Sequence, residues 1–419
     1  MHVGITMANE NKRQKLLIFM CWLIYVASYV SRYSYNSNIV AIKDYYGVTN
    51  AVTGLVSTCF FFAYGAGQII NGLLCKRYNK KLFLSLSLFL SAAVNMVLFA
   101  RPPIAVYKYL WLLNGASLSI LWSLLMLTLS ENLDDKHLTA AMLVMSTTVA
   151  IGTVLSYGSS ALFNLSVGFR YAFLTGAAVA CAVGIIWIAV CDKLVTATEK
   201  PIAEEGKKPE SEAKKPEPKK RVGASVVMTI IVFGVFMTVG NLVKDCLTVW
   251  VPQILKDSYG FGDSLSITLT LVLPFLGLFG ATLLVALCKV IKNGIVVNCL
   301  LFVAAGACVL GVMLLLGTDF YVPVIILFGL LSLLVHAINN YSTSFLPLKM
   351  RGEVNSGFLA GILNACGYVG STISAYCMGL VADKTGWNGV FVLLTALCAA
   401  VVVFSIPFIF IAQKRKKKD

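Results

Sequence analysis

The sequence predicts an all-α membrane protein with twelve transmembrane helices arranged as two six-helix halves. Of its 419 residues, 58% are hydrophobic and only 13% are charged, a composition that soluble domains do not have. Apolar stretches of about 20 residues recur along the chain, and each is long enough to cross the roughly 30 Å hydrocarbon layer of a bilayer. One long polar segment divides these stretches into two sets of six.

The twelve predicted spans define the domain organisation. In the N-terminal half they lie at residues 16–40, 50–74, 82–100, 104–130, 139–163 and 170–190. In the C-terminal half they lie at residues 225–252, 264–288, 294–316, 321–346, 354–380 and 387–411. The segment 196–221 is rich in Lys, Glu and Pro and is predicted to be a disordered, hydrated linker. The predicted domains are therefore residues 1–190, a cytoplasmic linker at 191–224, and residues 225–419, which end in a basic tail.

The distribution of positive charge predicts the topology. The formal net charge of +15 would suit a nucleic-acid partner, but the Lys and Arg residues cluster in short connections and at the C-terminus, as membrane topology requires. With both termini placed in the cytoplasm, the inside segments carry 26 Lys and Arg residues and the outside loops carry six. We therefore predict that both termini are cytoplasmic and expect no nucleic-acid partner.

The first span contains Arg32, whose charge would raise the free energy of a helix surrounded by lipid. Tyr25, Tyr29, Arg32 and Asn36 follow one another at i, i+4, i+7 and i+11, which places them on one helical face. A cation within hydrocarbon should face a wet cavity or the protein interior and mark a site or a pathway. This face is therefore the first candidate for a binding site.

The seventh span repeats this pattern and supplies a second cation. Asn241, Lys244 and Thr248 have the same spacing as Tyr29, Arg32 and Asn36 in the first span. Six spans followed by six, with matching residues in the first helix of each set, are typical of transporters with internal repeats. Two cations facing each other across a cavity would suit a doubly charged anion, such as phosphate. The alternative is that both side chains extend to the membrane interface.

Two further titratable residues lie within spans, and each has two interpretations. Asp245 follows Lys244 directly, so it either forms a structural pair with that lysine or carries a coupled proton. His336 in the tenth span is a second possible proton carrier, and hydrogen bonding between helices is its other role. The scarcity of such groups favours exchange or facilitated transport over proton symport.

The remaining composition argues against enzymatic chemistry. No nucleophile–base pair, paired carboxylates or metal-ligand cluster appears in the sequence, and the twelve cysteines lack metal-ligand spacing. We therefore expect no enzyme activity, no cofactor and no metal. The glycines of the spans, such as Gly65 and Gly370, are predicted to allow close helix packing. Trp250 and Trp387, near span ends, are predicted to anchor the helices at the membrane interface.

Several segments resemble the major facilitator superfamily, and more narrowly its organophosphate:phosphate antiporters. Residues 72–81 resemble the cytoplasmic loop motif of the superfamily, with Lys76 where an aspartate is usual and Asn79 where a glycine is usual. The antiporter pattern appears in Tyr25, Tyr29 and Arg32, in Tyr64, in Lys244 with Trp250 and Pro252, in Gly367, Tyr368 and Gly370, and in the segment 383–387. The chain departs from that pattern at Tyr33 and Gln68, which replace lysines, and in the fifth span, where a histidine is absent.

The resemblance implies a function and a set of site residues. It implies the major facilitator fold, functional as a monomer in a bacterial inner membrane, and exchange of a phosphate ester or phosphate by alternating access. Arg32 and Lys244 would hold the anion. Tyr25, Tyr29, Tyr64 and Tyr368 would shape the cavity, together with Asn36 and Asn241. Two alternatives stay open: a proton-coupled symporter of organic carboxylates that uses Asp245 or His336, and a membrane sensor that binds but does not transport.

Overall fold

The computed structural model describes residues 2–195, 224–350, 354 and 356–416, and almost all of this chain is helical. The predicted linker at 196–221 lies outside the described residues. Eleven described helical segments are long and apolar enough to cross a membrane. One of them, Leu359–Phe410, has 52 residues, or roughly 78 Å at helical rise, which is more than twice a bilayer core. It is interrupted at Gly386, where φ is 71°, so it holds two spans, and the predicted number of twelve is confirmed.

The helix bounds agree with the predicted spans except at their ends. In the N-terminal half the helices are α1 (His2–Asn36), α2 (Ile39–Tyr46), α3 (Asn50–Leu74), α4 (Lys80–Phe99), α5 (Ile104–Asn132), α6 (Asp135–Ser146), α7 (Thr148–Ser166) and α8 (Arg170–Leu194). In the C-terminal half they are α9 (Ala224–Tyr259), α10 (Asp263–Thr270), α11 (Val272–Gly277), α12 (Gly280–Val290), α13 (Gly294–Leu315), α14 (Tyr321–Asn340), α15 (Leu346–Lys349) and α16 (Ser356–Lys416). A 3₁₀ turn (Cys75–Arg77) follows α3, and a π-helical turn (Tyr341–Phe345) joins α14 to α15. The predicted end of the seventh span at residue 252 is wrong, because Pro252 lies inside α9, which continues to Tyr259.

At the break in the first span, a side chain replaces a lost backbone hydrogen bond, because the Asn38 N–H donates to the carbonyl of Tyr35 at 3.0 Å and leaves that of Ser34 to the Asn38 side chain. Between α1 and α2, Ser37 Oγ donates to the carbonyl of Tyr33 at 2.8 Å and Asn38 Nδ2 donates to the carbonyl of Ser34 at 2.8 Å. Asn38 Nδ2 also lies 2.9 Å from Ser160 Oγ on α7. Broken helices inside a bilayer require such replacement partners for the backbone. The break therefore joins the first and fifth spans.

A buried polar network fixes the rotation of α1. Ser31 Oγ lies 2.5 Å from Ser91 Oγ, and Asn95 Nδ2 donates to Ser31 Oγ at 2.8 Å. Ser34 Oγ donates to Asn95 Oδ1 at 2.8 Å, and Ser91 Oγ donates to Asn114 Oδ1 at 2.6 Å. These bonds connect α1 to α4 and α5 and hold the neighbouring Arg32 in a defined direction. Hydrogen bonds of this kind orient helices where lipid supplies no hydrophobic drive for association.

The two halves meet along a seam between α3 and α16 that has glycines on both sides. A Cβ atom at Gly54 would lie 2.3 Å from the carbonyl oxygen of Ala375, and one at Gly379 would lie 2.7 Å from that of Asn50. A Cβ at Gly65 would lie 2.6 Å from the Cβ of Tyr368. Real Cβ atoms do not approach so closely, so any larger residue at these positions would push the halves apart. The predicted packing role of Gly65 is confirmed, and Gly370 has the same role between α16 and α9.

One end of the bundle is closed by polar contacts between the halves, and we call it the sealed end. The Asp383 carboxylate accepts hydrogen bonds from the backbone N–H of Asn50 at 3.0 Å and of Ala51 at 2.7 Å. The Lys256 ammonium pairs with Asp44 of the other half and with Asp263 at 2.6 Å. Asp383 thus caps the N-terminus of α3 from the opposite half of the protein.

The tryptophans near this end do not anchor the membrane interface, so that prediction is wrong. Trp250 is completely buried and Trp387 is 8% exposed, and their ring centroids are 5.7 Å apart. Trp387 Nε1 also donates to Asp257 Oδ2 at 2.9 Å. Both rings pack inside the protein, and Trp250 lies against Gly54 and Gly379 of the seam.

We predict that Asp383→Asn loosens the sealed end. The variant loses the negative charge at the N-terminus of α3 and at least one of the two oxygen atoms that accept hydrogen bonds from the backbone. The free energy of unfolding is expected to fall by about 1 kcal/mol. Hydrogen–deuterium exchange at the start of α3 should become faster, and the melting temperature of the purified protein should fall by about 2 °C. Asp319→Asn, which changes an exposed carboxylate on another loop, is the control. Unchanged exchange at the start of α3 would contradict the capping role.

Candidate functional site

Arg32 lies in an aromatic box between the two halves. Its side chain is only 6% exposed. The guanidinium carbon lies 4.8 Å from the ring centroids of Tyr29 and Tyr64, 4.9 Å from that of Phe60 and 5.3 Å from that of Tyr33. Contacts of a cation with ring faces contribute up to about 2 kcal/mol each when desolvated. The box therefore stabilises the buried charge without neutralising it.

No protein anion compensates Arg32 within the described part of the chain. No carboxylate there forms an ion pair with it, and no oxygen accepts a hydrogen bond from its guanidinium. A buried charge without a partner costs several kcal/mol, so this arrangement persists only if it has a use. The five guanidinium N–H groups form a planar fork that matches the oxygens of phosphate or carboxylate. Arg32 is thus prepared to bind an anion.

Lys244, in contrast, is already engaged by its neighbours. Its Nζ donates to Asn241 Oδ1 at 2.6 Å and lies 3.7 Å from Asp245 Oδ1. Asn241 Oδ1 also accepts a hydrogen bond from Asn339 Nδ2 at 3.0 Å, which connects α9 to α14. The Lys244 side chain is 25% exposed and that of Asp245 is 5% exposed. The ammonium group can therefore still reach a ligand, but Asp245 balances its charge.

The four predicted tyrosines lie together and join the halves. The hydroxyls of Tyr25 and Tyr64 are 3.5 Å apart, and the rings of Tyr25 and Tyr29 meet edge to face with centroids 5.3 Å apart. Tyr64 contacts Tyr368 of the other half, with ring centroids 5.2 Å apart. The structure thus brings residues of the first, second and eleventh spans to one place.

Two other predicted residues have structural partners. Asn36 is 4% exposed, and its Oδ1 accepts a hydrogen bond from Ser57 Oγ at 2.8 Å, which connects α1 to α3. His336 Nδ1 lies 2.8 Å from the carbonyl oxygen of Ser332 and packs against Gly277 and Gly280. Since a carbonyl only accepts, Nδ1 of His336 carries the proton. Among the described residues, neither Lys244 nor Asp245 forms a hydrogen bond with this ring.

Sequence reasoning missed three aromatic residues of the site. Phe60 and Tyr33 complete the Arg32 box; Phe60 lies one helical turn before Tyr64, and that spacing was a usable signal. Tyr157 Oη donates to the carbonyl oxygen of Thr248 at 2.6 Å and joins the fifth span to the seventh. Its ring lies 6.0 Å from that of Tyr33, between centroids. No pattern in the sequence distinguishes Tyr157 from any other buried tyrosine.

Hydrogen bonds between the halves flank the Arg32 box along the bundle. Towards the sealed end, Thr58 Oγ1 donates to the carbonyl of Thr372 at 2.8 Å. Away from it, Asn364 Nδ2 donates to Gln68 Oε1 at 2.7 Å. Gln68, which stands where the resembled pattern has a lysine, therefore bonds across the seam instead of adding a charge to the site.

The fold is shared with solved transporter structures. A bacterial homologue of the human lysosomal transporter Spinster, in an inward-facing and unoccupied conformation, superposes with a TM-score of 0.65 at 14% identity, covering 94% of this chain and 95% of that one. The nucleoside transporter NupG superposes with a TM-score of 0.69 at 10% identity, covering 95% and 99%. At such identities the similarity concerns the fold alone.

Sequence comparison relates the chain to characterised membrane proteins. It is 24% identical over 419 aligned residues to the glycerol-3-phosphate transporter of Bacillus subtilis, covering 94% of this chain and 92% of the relative. It is 21% identical over 401 residues to sugar phosphate exchanger 3 of Homo sapiens, covering 85% and 79%. A shorter match, 24% identical over 99 residues, relates about a quarter of each chain to the membrane sensor protein UhpC of Escherichia coli. Residues 21–359 match the Major Facilitator Superfamily, and the protein is a member of that superfamily.

Proposed function

We propose that this protein is a secondary transporter that exchanges phosphate esters or phosphate across a membrane by alternating access. The observation that carries the proposal is the buried Arg32, which lies at the seam of the two halves without a protein anion. Two relatives named as a sugar phosphate exchanger and a glycerol-3-phosphate transporter support the same substrate class. An enzymatic role is not part of the proposal, because the superfamily is one of transporters.

Binding at this site would connect both halves through one ligand. The guanidinium of Arg32 would form parallel hydrogen bonds to two phosphoryl oxygens. Lys244, hydrogen-bonded through Asn241 on the other half, would reach a third oxygen. Tyr25, Tyr29, Tyr64 and Tyr368 would surround the organic part of the substrate. Ligand binding shifts the equilibrium between two conformers only by the difference in its binding free energy for each of them.

The closed end of the bundle suggests the direction in which this conformer opens. The loops of the sealed end are those that the charge distribution places outside, and the termini lie towards the opposite end. With both termini in the cytoplasm, this conformer would be closed to the outside and would exchange substrate with the cytoplasm. We further propose that the protein works as a monomer in a bacterial inner membrane.

Two alternatives have specific support. Asp245 is nearly inaccessible and has only a 3.7 Å contact to Lys244 as an ion pair, so it is a candidate proton carrier for a carboxylate symporter, with His336 nearby. The partial similarity to a membrane sensor protein supports a role in binding without transport. Both alternatives make predictions that differ from those of exchange.

We predict that Arg32→Ala abolishes exchange without destabilising the protein. In proteoliposomes preloaded with phosphate, uptake of labelled phosphate should fall at least a hundredfold, since a buried charge-assisted bond contributes about 3 kcal/mol or more. The melting temperature should change little, because the lost ring contacts and the cavity left by the side chain oppose the gain from removing an uncompensated buried cation.

Arg170→Ala is the matched control for this experiment. Arg170 also lies against aromatic rings, 5.3 Å from the centroid of Phe99 and 5.0 Å from that of Tyr171, but it lies away from the seam. Exchange should survive this change. Full exchange by Arg32→Ala, or none by the wild-type protein with phosphate and a panel of sugar phosphates, would rule the proposal out.

We also predict that uptake depends on an anion inside the vesicle rather than on a proton gradient. Vesicles without internal phosphate should accumulate neither labelled phosphate nor labelled carboxylates when an inward proton gradient is imposed. Accumulation of a carboxylate that is lost in Asp245→Asn or His336→Gln would instead identify the symporter. Saturable phosphate binding by the purified protein with no exchange would identify the sensor.

A further inference from the structure

Three charged side chains approach the seam, and together they carry a single positive charge. Arg32 contributes one uncompensated charge, whereas Lys244 and Asp245 are 3.7 Å apart and balance each other. Tyr157 joins this pair to the Arg32 box, because its Oη donates to the carbonyl oxygen of Thr248, one helical turn after Lys244, at 2.6 Å and its ring centroid lies 6.0 Å from that of Tyr33. The two cations and the carboxylate therefore belong to one electrostatic site. Further titratable groups around it are Tyr25, Tyr64, Tyr157, Tyr368, His336 and Cys246.

We propose that this site takes the phosphoryl group in its singly charged form and that Asp245 sets this preference. The bound species would be a protonated phosphate monoester or a phosphate diester. This inference rests on the proposed function and differs from the doubly charged anion that two cations alone would suit. It assigns to Asp245 the selection of charge, not the transport of a proton on its own account.

The charge balance of a buried site is the physical reason. A singly charged phosphoryl group would bring the sum of ligand, Arg32, Lys244 and Asp245 to zero. A doubly charged group would leave one uncompensated negative charge in a region of low polarity, where a charge without a partner costs several kcal/mol. It would also meet the carboxylate of Asp245 at close range, and like charges repel strongly there.

Hydrogen bonding supports the protonated monoester in particular. A protonated phosphoryl oxygen is a donor and needs an acceptor. Asn241 Oδ1 is already occupied by Lys244 and Asn339. The carboxylate of Asp245 accepts no hydrogen bond from the residues that the structure describes, although its side chain is only 5% exposed. It is therefore a free acceptor beside the group that would hold the phosphoryl oxygens.

Sulfate esters supply the probe, because they resemble phosphate esters in shape but keep one negative charge at every accessible pH. The experiment measures how strongly glucose 6-phosphate and glucose 6-sulfate inhibit phosphate exchange by the wild-type protein at pH 6 and pH 8. The second pKa of a phosphate monoester is about 6, so its singly charged fraction falls about fiftyfold between these two pH values. The ratio of the two inhibition constants, phosphate over sulfate, should rise by about the same factor. Titration of a protein group that affects both esters equally cancels in this ratio.

Variants at Asp245 test the cause of the preference. In Asp245→Asn the site gains a net positive charge, and the inhibition ratio at pH 8 should fall at least about tenfold, a modest share of a close charge interaction. Asp245→Glu should keep the wild-type ratio. The double variant Lys244→Gln with Asp245→Asn returns the site to one positive charge and should restore the monoanion preference, with weaker binding. Asp192→Asn, at a surface carboxylate paired with Lys81, is the control and should leave both constants unchanged.

The outcomes separate this inference from the proposed function. A wild-type ratio that stays the same from pH 6 to pH 8, or a ratio that Asp245→Asn does not move, would overturn the charge assignment while leaving phosphate exchange intact. Failure of the wild-type protein to bind or exchange either ester at both pH values would overturn the proposed function itself. The wild-type measurement needs no variant, so it holds even if Asp245→Asn does not fold.

Discussion

An uncompensated guanidinium inside a membrane-embedded bundle is the constraint on which the other features of this site depend. Arg32 would be strongly unfavourable in lipid, so α1 must keep its charged face turned towards the second half. Hydrogen bonds between Ser31 and Asn95 fix the rotation of α1 about its axis. On the opposite side, the guanidinium of Arg32 contacts the rings of Phe60 and Tyr64. The glycine seam then lets Tyr368 approach closely enough to complete the enclosure. Each of these features has a separate local cause, and all of them serve one charge.

The first helices of the two halves share a spacing of polar residues but differ in chemistry. Arg32 and Lys244 stand at the same place in that spacing, yet the first is held by aromatic faces and the second by an amide and a carboxylate. The aromatic contacts leave all the N–H donors of the guanidinium available. The Lys244 ammonium, in contrast, already donates one hydrogen bond to Asn241, and Asp245 balances its charge. A ligand would therefore contact the rigid, uncompensated Arg32 on one side and the more mobile, charge-balanced Lys244 on the other. Similar spacing in a repeat does not imply equal charge.

The fold and the position of the site follow from the sequence, but the balance of charges does not. Hydrophobic length marks the spans because the bilayer sets it, and the helical period places Tyr25, Tyr29 and Arg32 on one face. Contacts between helices depend on their relative rotation and height, which no single span records. The contact of Tyr157 with Thr248 and the burial of Trp250 could therefore be read only from the structure. The same holds for the 3.7 Å distance between Lys244 Nζ and Asp245 Oδ1. Neighbouring positions in the sequence allow this contact, but whether it forms depends on the side-chain conformations.

The cap that Asp383 places on α3 has a consequence for how the halves separate. When the two halves move apart, the backbone N–H groups of Asn50 and Ala51 lose the exposed Asp383 carboxylate as their acceptor, and water can hydrate all three groups. Separation there exchanges protein hydrogen bonds for solvent ones and strands no group in hydrocarbon. Water cannot replace the contacts of the glycine seam deeper in the bundle in this way, because they are van der Waals contacts between closely packed helices. Wetting can therefore start at the Asp383 end and advance inward, so entry of water and parting of the halves form one process.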